Sequence, residues 1–144
     1  LMILSGGLVA GLRAGLIWNT FPLMGDSFVP PGLYEMSPSW LSAFEDMTTV
    51  QFNHRLLAYT IVLMATMLLI RIMISESHLG VQRTMLGLYF ALWIQILLGI
   101  STILFAVPVL IASLHQACGI LVFTLAIILA RIASTIDIQN GNTN

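Results

Sequence analysis

The chain has no lysine and almost no charge of any kind. Five arginines and six acids make up 8% of its 144 residues, against about a quarter in a soluble domain. From Thr84 to Ala130 there is no Asp, Glu, Lys or Arg at all. That run is about twice the roughly 20 residues that one spanning helix needs. With no lysine and a net charge of −1, nothing in the composition suggests nucleic acid. One cysteine, Cys118, excludes an internal disulfide, and in an apolar helix it reads as a small packing residue. What is present is apolar: 58% of residues are hydrophobic and mean hydropathy is +0.99. The chain is therefore expected to be an integral membrane protein.

The pattern predicts an all-α fold, a membrane four-helix bundle in a single transmembrane domain over residues 1–144. Helices are expected at about 1–17, 49–74, 81–106 and 109–136, with Pro108 dividing the long uncharged run and a polar tail from Ile138 to Asn144. The opening stretch Leu1 to Leu12 is too short to span unaided, so it reads as the end of a helix in a longer protein. No basic region precedes it, which argues against a signal peptide. Gly7, Gly11 and Gly15 form two overlapping small-residue steps that permit close packing, either with a missing part or with a second copy.

Residues 18–48 read as a loop. It holds Pro22, Pro30, Pro31 and Pro38, the acids Asp26, Glu35, Glu45 and Asp46, and no basic residue. A short amphipathic helix from Ser39 to Asp46 is expected to lie on the membrane surface with Trp40 and Phe44 in lipid. Arg71, Arg83 and Arg131 fall at the opposite end of the bundle, so the positive-inside rule places that end in the cytoplasm or matrix and the acidic loop outside. Arg13 fits either interfacial snorkelling or an anionic ligand group.

Two histidines open alternate helices. His54 stands in Val50-Gln51-Phe52-Asn53-His54-Arg55, and His115 in Ser113-Leu114-His115-Gln116. In an up-down bundle these helices run the same way and sit across a diagonal, which puts both imidazoles near one membrane face. Such a pair offers two axial ligands to a heme iron. The helices are lined near the histidines by Ala58, Ala65, Ala112, Cys118 and Gly119, which would leave a slot open. Arg55 offers a bidentate partner for a heme propionate, with snorkelling as the plain alternative. Gln51 and Gln116 are candidates to orient the imidazoles. His78, beside Glu76 in a polar turn, reads as solvated. His115 and Cys118, one turn apart with no further partner, do not make a metal site.

At this point the residues resemble a family. Gly6-Gly7-Leu8-Val9-Ala10-Gly11-Leu12-Arg13-Ala14-Gly15, Asn19-Thr20-Phe21-Pro22-Leu23-Met24-Gly25, the His54 motif, Leu97-Leu98-Gly99-Ile100-Ser101-Thr102 and His115-Gln116 are similar to the C-terminal half of heme A synthase, in its alphaproteobacterial and mitochondrial form. The resemblance runs from Gly6 to about Arg131. It implies eight spanning helices in two similar halves, in a bacterial or mitochondrial inner membrane, with a heme b cofactor held in the C-terminal half by the pair that matches His54 and His115. It implies oxidation of the C8 methyl of heme o to a formyl group, in an enzyme whose substrate site and catalytic glutamate lie in the half missing here. Heme o is then reached through that half, and heme o synthase is a candidate partner. Neither Glu35 nor Glu45 matches the family's glutamate, and the loop lacks the cysteine pair of some relatives. Two other readings stay open: a b-type cytochrome that transfers electrons, and a structural or transporter bundle without a cofactor.

Overall fold

A computed structural model describes residues 1–75 and 78–141, with side chains described to residue 135. Among these residues the regular structure is helical. α1 spans Met2–Gly11 and is followed by a 3-10 turn over Ala14–Leu16. A second 3-10 turn, Ser39–Leu41, runs directly into α2, Ser42–Glu45. The long helices are α3 (Met47–Ile74), α4 (Leu79–Leu104) and α5 (Val109–Gly141). All three are long and apolar enough to cross a membrane. At 1.5 Å per residue, the 28 residues of α3 reach about 42 Å, more than the roughly 30 Å of hydrocarbon, so its end turns extend into the interfaces.

Local chemistry explains where these helices differ from the predicted bounds. α3 begins at Met47, two residues early, because the Asp46 carboxylate accepts the Thr49 backbone N–H at 2.7 Å and so caps the first turn. α4 closes on a paired hydrogen bond. The Val107 N–H reaches the Thr102 carbonyl at 2.7 Å and the Ala106 N–H reaches that of Ile103 at 3.0 Å, with both residues at positive φ. Pro108 then releases the chain into α5, which continues to Gly141, past the expected end. The polar tail predicted from Ile138 is therefore helical as far as residue 141, while residues 142–144 and Glu76 lie outside those described.

The first helix is shorter than its apolar sequence suggests. It ends at Gly11, and Arg13 adopts a left-handed φ of 54° that turns the chain aside. The Asn19 side-chain amide holds the new direction by donating to the Gly15 and Ile103 carbonyls, both at 2.9 Å. Of the three glycines in the predicted packing stripe, Gly7 and Gly11 face nothing among the described residues. Only Gly15 has a close neighbour: a Cβ there would lie 3.1 Å from Val107.

α1 packs on α3, α3 on α4, and α4 most extensively on α5. α3 and α5 make at most marginal contact among the described residues, so they stand apart as alternate members. The apolar core lies toward the arginine-bearing end. Val81, Met85, Leu88 and Leu129 are buried there against Ala65, Leu69 and Ile72. Most other large apolar side chains face outward, as a lipid solvent favours.

The long loop is ordered onto the other end. Trp18 lies against Gly25, whose φ is +68° and where a Cβ would come within 2.7 Å of the indole. Thr20 donates to the Leu23 carbonyl and accepts from the Gly25 N–H, both at 2.9 Å. Tyr34 and Asn53 pair side chain to side chain, and Ser42, fully buried, accepts the Met36 N–H. Where a short amphipathic helix is expected from Ser39 to Asp46, the 3-10 turn and α2 follow one another, with Trp40 and Phe44 exposed and edge to face at 6.5 Å. Gly25→Ala is expected to displace Trp18 and destabilise the loop by about 1–3 kcal/mol. Proteolysis within residues 18–48 should then speed up while helicity stays unchanged; an unaltered cleavage pattern would count against this packing.

Candidate functional site

His54 lies about 10 Å along α3 from its first residue, and His115 about 9 Å along α5. Both side chains are half-buried, on helices that scarcely touch each other. His54 is turned toward α1 and His115 toward α4.

Each ring is held at Nδ1. The Ser5 hydroxyl of α1 lies 3.2 Å from Nδ1 of His54. The Gln95 backbone carbonyl of α4 lies 3.1 Å from Nδ1 of His115. A carbonyl only accepts, so His115 carries its proton on Nδ1 and keeps the lone pair on Nε2. That is the tautomer a metal-binding imidazole needs. Gly99, one turn beyond Gln95, makes the approach of His115 feasible: a Cβ at this position would sit 2.9 Å from the ring carbon Cε1.

Ser5 and Gln95 were not singled out in the sequence, and Gly99 stood there only within the Leu97–Thr102 motif, whereas Gln51 and Gln116 were proposed to orient the rings. Gln51 donates to the Trp18 carbonyl at 3.0 Å, and Gln116 is exposed. Gln95 did carry a signal. It is one of the few strongly polar residues in the uncharged run, and a polar side chain there needs a reason.

The small residues read as a slot lining are divided among other tasks. Ala65 packs on the core at the arginine-bearing end. Cys118 turns its thiol toward the Ala91 carbonyl at 3.7 Å, and a Cβ on Gly119 would lie 3.2 Å from the Gln95 amide nitrogen. Their small size lets α5 approach α4 closely. Ala58 and Ala112 remain half-buried near the histidines.

Arg55 is buried, 7% exposed, and turned into the loop. Its two terminal nitrogens donate to the Trp18 carbonyl at 3.0 Å and the Leu23 carbonyl at 3.3 Å. Nε is buried without a partner, as is the Tyr59 hydroxyl, and both residues line a cavity of about 10 Å³, room for about one water. No carboxylate pairs with this guanidinium among the described residues. Arg13 is exposed, and His78 is exposed in the turn as expected. Among the described residues no cluster of three or more His, Cys, Asp or Glu side chains could hold a bare metal ion.

A family model described as cytochrome oxidase assembly protein matches residues 1–127, a stretch that includes both histidines and the whole loop. The chain belongs to this family. It is similar to the heme A synthases of Nitrosospira multiformis (43% identical over 127 residues, 88% of this chain and 36% of that one) and Chelativorans sp. (42% over 124 residues, 86% and 34%). The heme A synthase of Nitrosomonas eutropha is 41% identical over 131 residues, 90% of this chain and 36% of that one. The chain thus spans about a third of the length of the curated relatives it matches. No solved structure matches it.

Within this cytochrome oxidase assembly protein family chain, two substitutions test the geometry directly. Gly99→Ala is expected to push the His115 ring off the Gln95 carbonyl and cost about 1–3 kcal/mol by overpacking. A lowered melting temperature together with a shifted His115 ring-nitrogen NMR signal would register it; no change in either would contradict the contact. Arg55→Leu should loosen the loop by about 1.5–3 kcal/mol for each lost hydrogen bond to the charged group, read as faster proteolysis within residues 18–48.

Proposed function

We propose that this chain is the heme b-binding C-terminal half of a heme A synthase, in which His54 and His115 are the two axial ligands of the iron. The observation that carries the proposal is the held pair: two imidazoles, each anchored at Nδ1 by a neighbouring helix, on alternate helices that make few close backbone contacts. Helices in direct contact lie about 8–10 Å apart and leave no room for a porphyrin between them. A bare ion would find too few ligands here, but a porphyrin brings four nitrogens and needs only two more. Among the described residues the buried Arg55 has carbonyl partners and no carboxylate, so its charge remains to be balanced. A propionate is a suitable counter-charge for this guanidinium, one residue from His54 in sequence and held by the Trp18 and Leu23 carbonyls.

Bound between two imidazoles, a low-spin heme supplies one-electron transfer. The chain's own residues then hold the ligand nitrogens in register, close the acidic-loop end with Trp18, Met24 and Arg55, and present apolar helix faces to lipid. In this proposal the whole enzyme converts the C8 methyl of heme o to the formyl of heme a, with substrate site and catalytic glutamate in the other half, in a bacterial or mitochondrial inner membrane. The site end faces outward and the arginine-bearing end inward. The relatives, each named heme A synthase, favour this over a cytochrome that only transfers electrons.

The test is a reduced-minus-oxidised spectrum of the full-length protein with identification of the extracted heme. A low-spin b-type signal that disappears in His54→Ala and in His115→Ala is expected, because one imidazole cannot fill both axial positions. Retention of the six-coordinate spectrum in both single variants would overturn the ligand assignment.

A further inference from the structure

Gln95 meets His115 twice. Its backbone carbonyl lies 3.1 Å from Nδ1, and its side-chain amide nitrogen lies 3.5 Å from Nε2. With the ring proton on Nδ1, the amide N–H points at the Nε2 lone pair. One lone pair cannot serve an N–H donor and a metal ion at once. The amide is only loosely tied, since 3.5 Å is at the long limit of a hydrogen bond. Its oxygen, Oε1, is buried with no partner. Gly119 on α5 accommodates the amide, since a Cβ there would come within 3.2 Å of its nitrogen. The side chain is therefore poised over the ring nitrogen and weakly held.

We propose that Gln95 is a positioning residue for His115: its carbonyl fixes the ring tautomer, while its side-chain amide covers Nε2 and gives that nitrogen up to the iron of an incoming heme. This rests on His115 being an axial ligand. The carbonyl contact belongs to the helix backbone and survives any substitution at position 95. The amide contact competes with the iron and disappears with the side chain. The two contributions of one residue can thus be separated.

The experiment uses full-length protein purified from heme-limited cells, as wild type, Gln95→Ala, Gln95→Leu and His115→Ala, mixed with hemin in detergent. Uptake is followed by stopped-flow absorption and the product by its low-spin spectrum. Both position-95 variants are expected to keep the low-spin spectrum, because the carbonyl still orients the ring. They are expected to take up hemin about 2- to 10-fold faster, the range set by removing one competing hydrogen bond. The leucine variant keeps the bulk of the side chain, so a gain there reports the lost amide and not an enlarged cavity. Wild-type uptake rates in both variants would overturn the proposal, and so would loss of the low-spin signal in either while helicity is unchanged. His115→Ala separates the two levels: low-spin heme retained in that variant removes the ligand assignment itself, whereas low-spin heme lost there with unchanged rates at position 95 removes only the role of Gln95.

Discussion

Hydrocarbon offers no hydrogen bonds, and the arrangement of this chain follows from that. A spanning helix satisfies its own backbone except in its last turns, where carbonyls are left over. Long polar side chains at one end of the bundle go to backbone oxygens at helix ends and in the loop. Asn19 binds the Gly15 and Ile103 carbonyls, and Arg55 and Gln51 share that of Trp18. These bonds join segments far apart in sequence and turn residues 18–48 from an unstructured connection into a cover on the helix ends. The guanidinium is the strongest of these donors, and it is fully charged whatever its surroundings.

The bundle is divided along its length. Toward the arginine-bearing end, Val81, Met85, Leu88 and Leu129 pack with Ala65 and Leu69, with a hydrogen bond between the Thr66 and Tyr89 hydroxyls at 3.0 Å beside them. Toward the loop end, the contacts between helices are polar: Ser5 to His54, Gln95 to His115, Asn19 to Ile103. Apolar packing between membrane helices gains little over packing with lipid, so it does not by itself fix rotation about a helix axis. The polar contacts do, because each requires one face of one helix. Orientation of the imidazoles is therefore specified where they are needed, and the far end serves as a tether.

The parts of this structure that were readable in the sequence are those that hydrocarbon dictates locally. The uncharged run from Thr84 to Ala130, broken at Pro108, had to be two spanning helices. His54 and His115 stood out because imidazoles are rare in such runs. What was misjudged depended on distant partners. Apart from Arg13, Leu12 to Ile17 continues the apolar stretch before it, so the sequence suggests a longer α1 than the one ending at Gly11; the turn at Arg13 is stabilised by Asn19 reaching α4. Asp46 was a readable cap that looked like one more loop acid. Gln51 and Gln116 were chosen as partners by proximity in sequence. Yet a neighbour at i+1 points about 100° away around the helix, and at i−3 the loop carbonyl of Trp18 outcompeted the ring. Gln95 could be placed against His115 only once the rotation of α4 against α5 was known.

Between α4 and α5, two glycines act together with the polar pair to set that rotation. Gly99 on α4 and Gly119 on α5 each lie where a Cβ would intrude, the first on the His115 ring and the second on the Gln95 amide. The ring and the amide thus occupy two matching hollows on facing helices, each side chain filling the space the opposite glycine leaves. A helix pair joined this way needs no strong hydrogen bond to hold its register, since sliding by one residue would drive both side chains into backbone. The 3.5 Å amide contact can therefore stay weak without loosening the pair, and in the role proposed above for Gln95 a weak contact on Nε2 is what lets one residue orient the ring and release it.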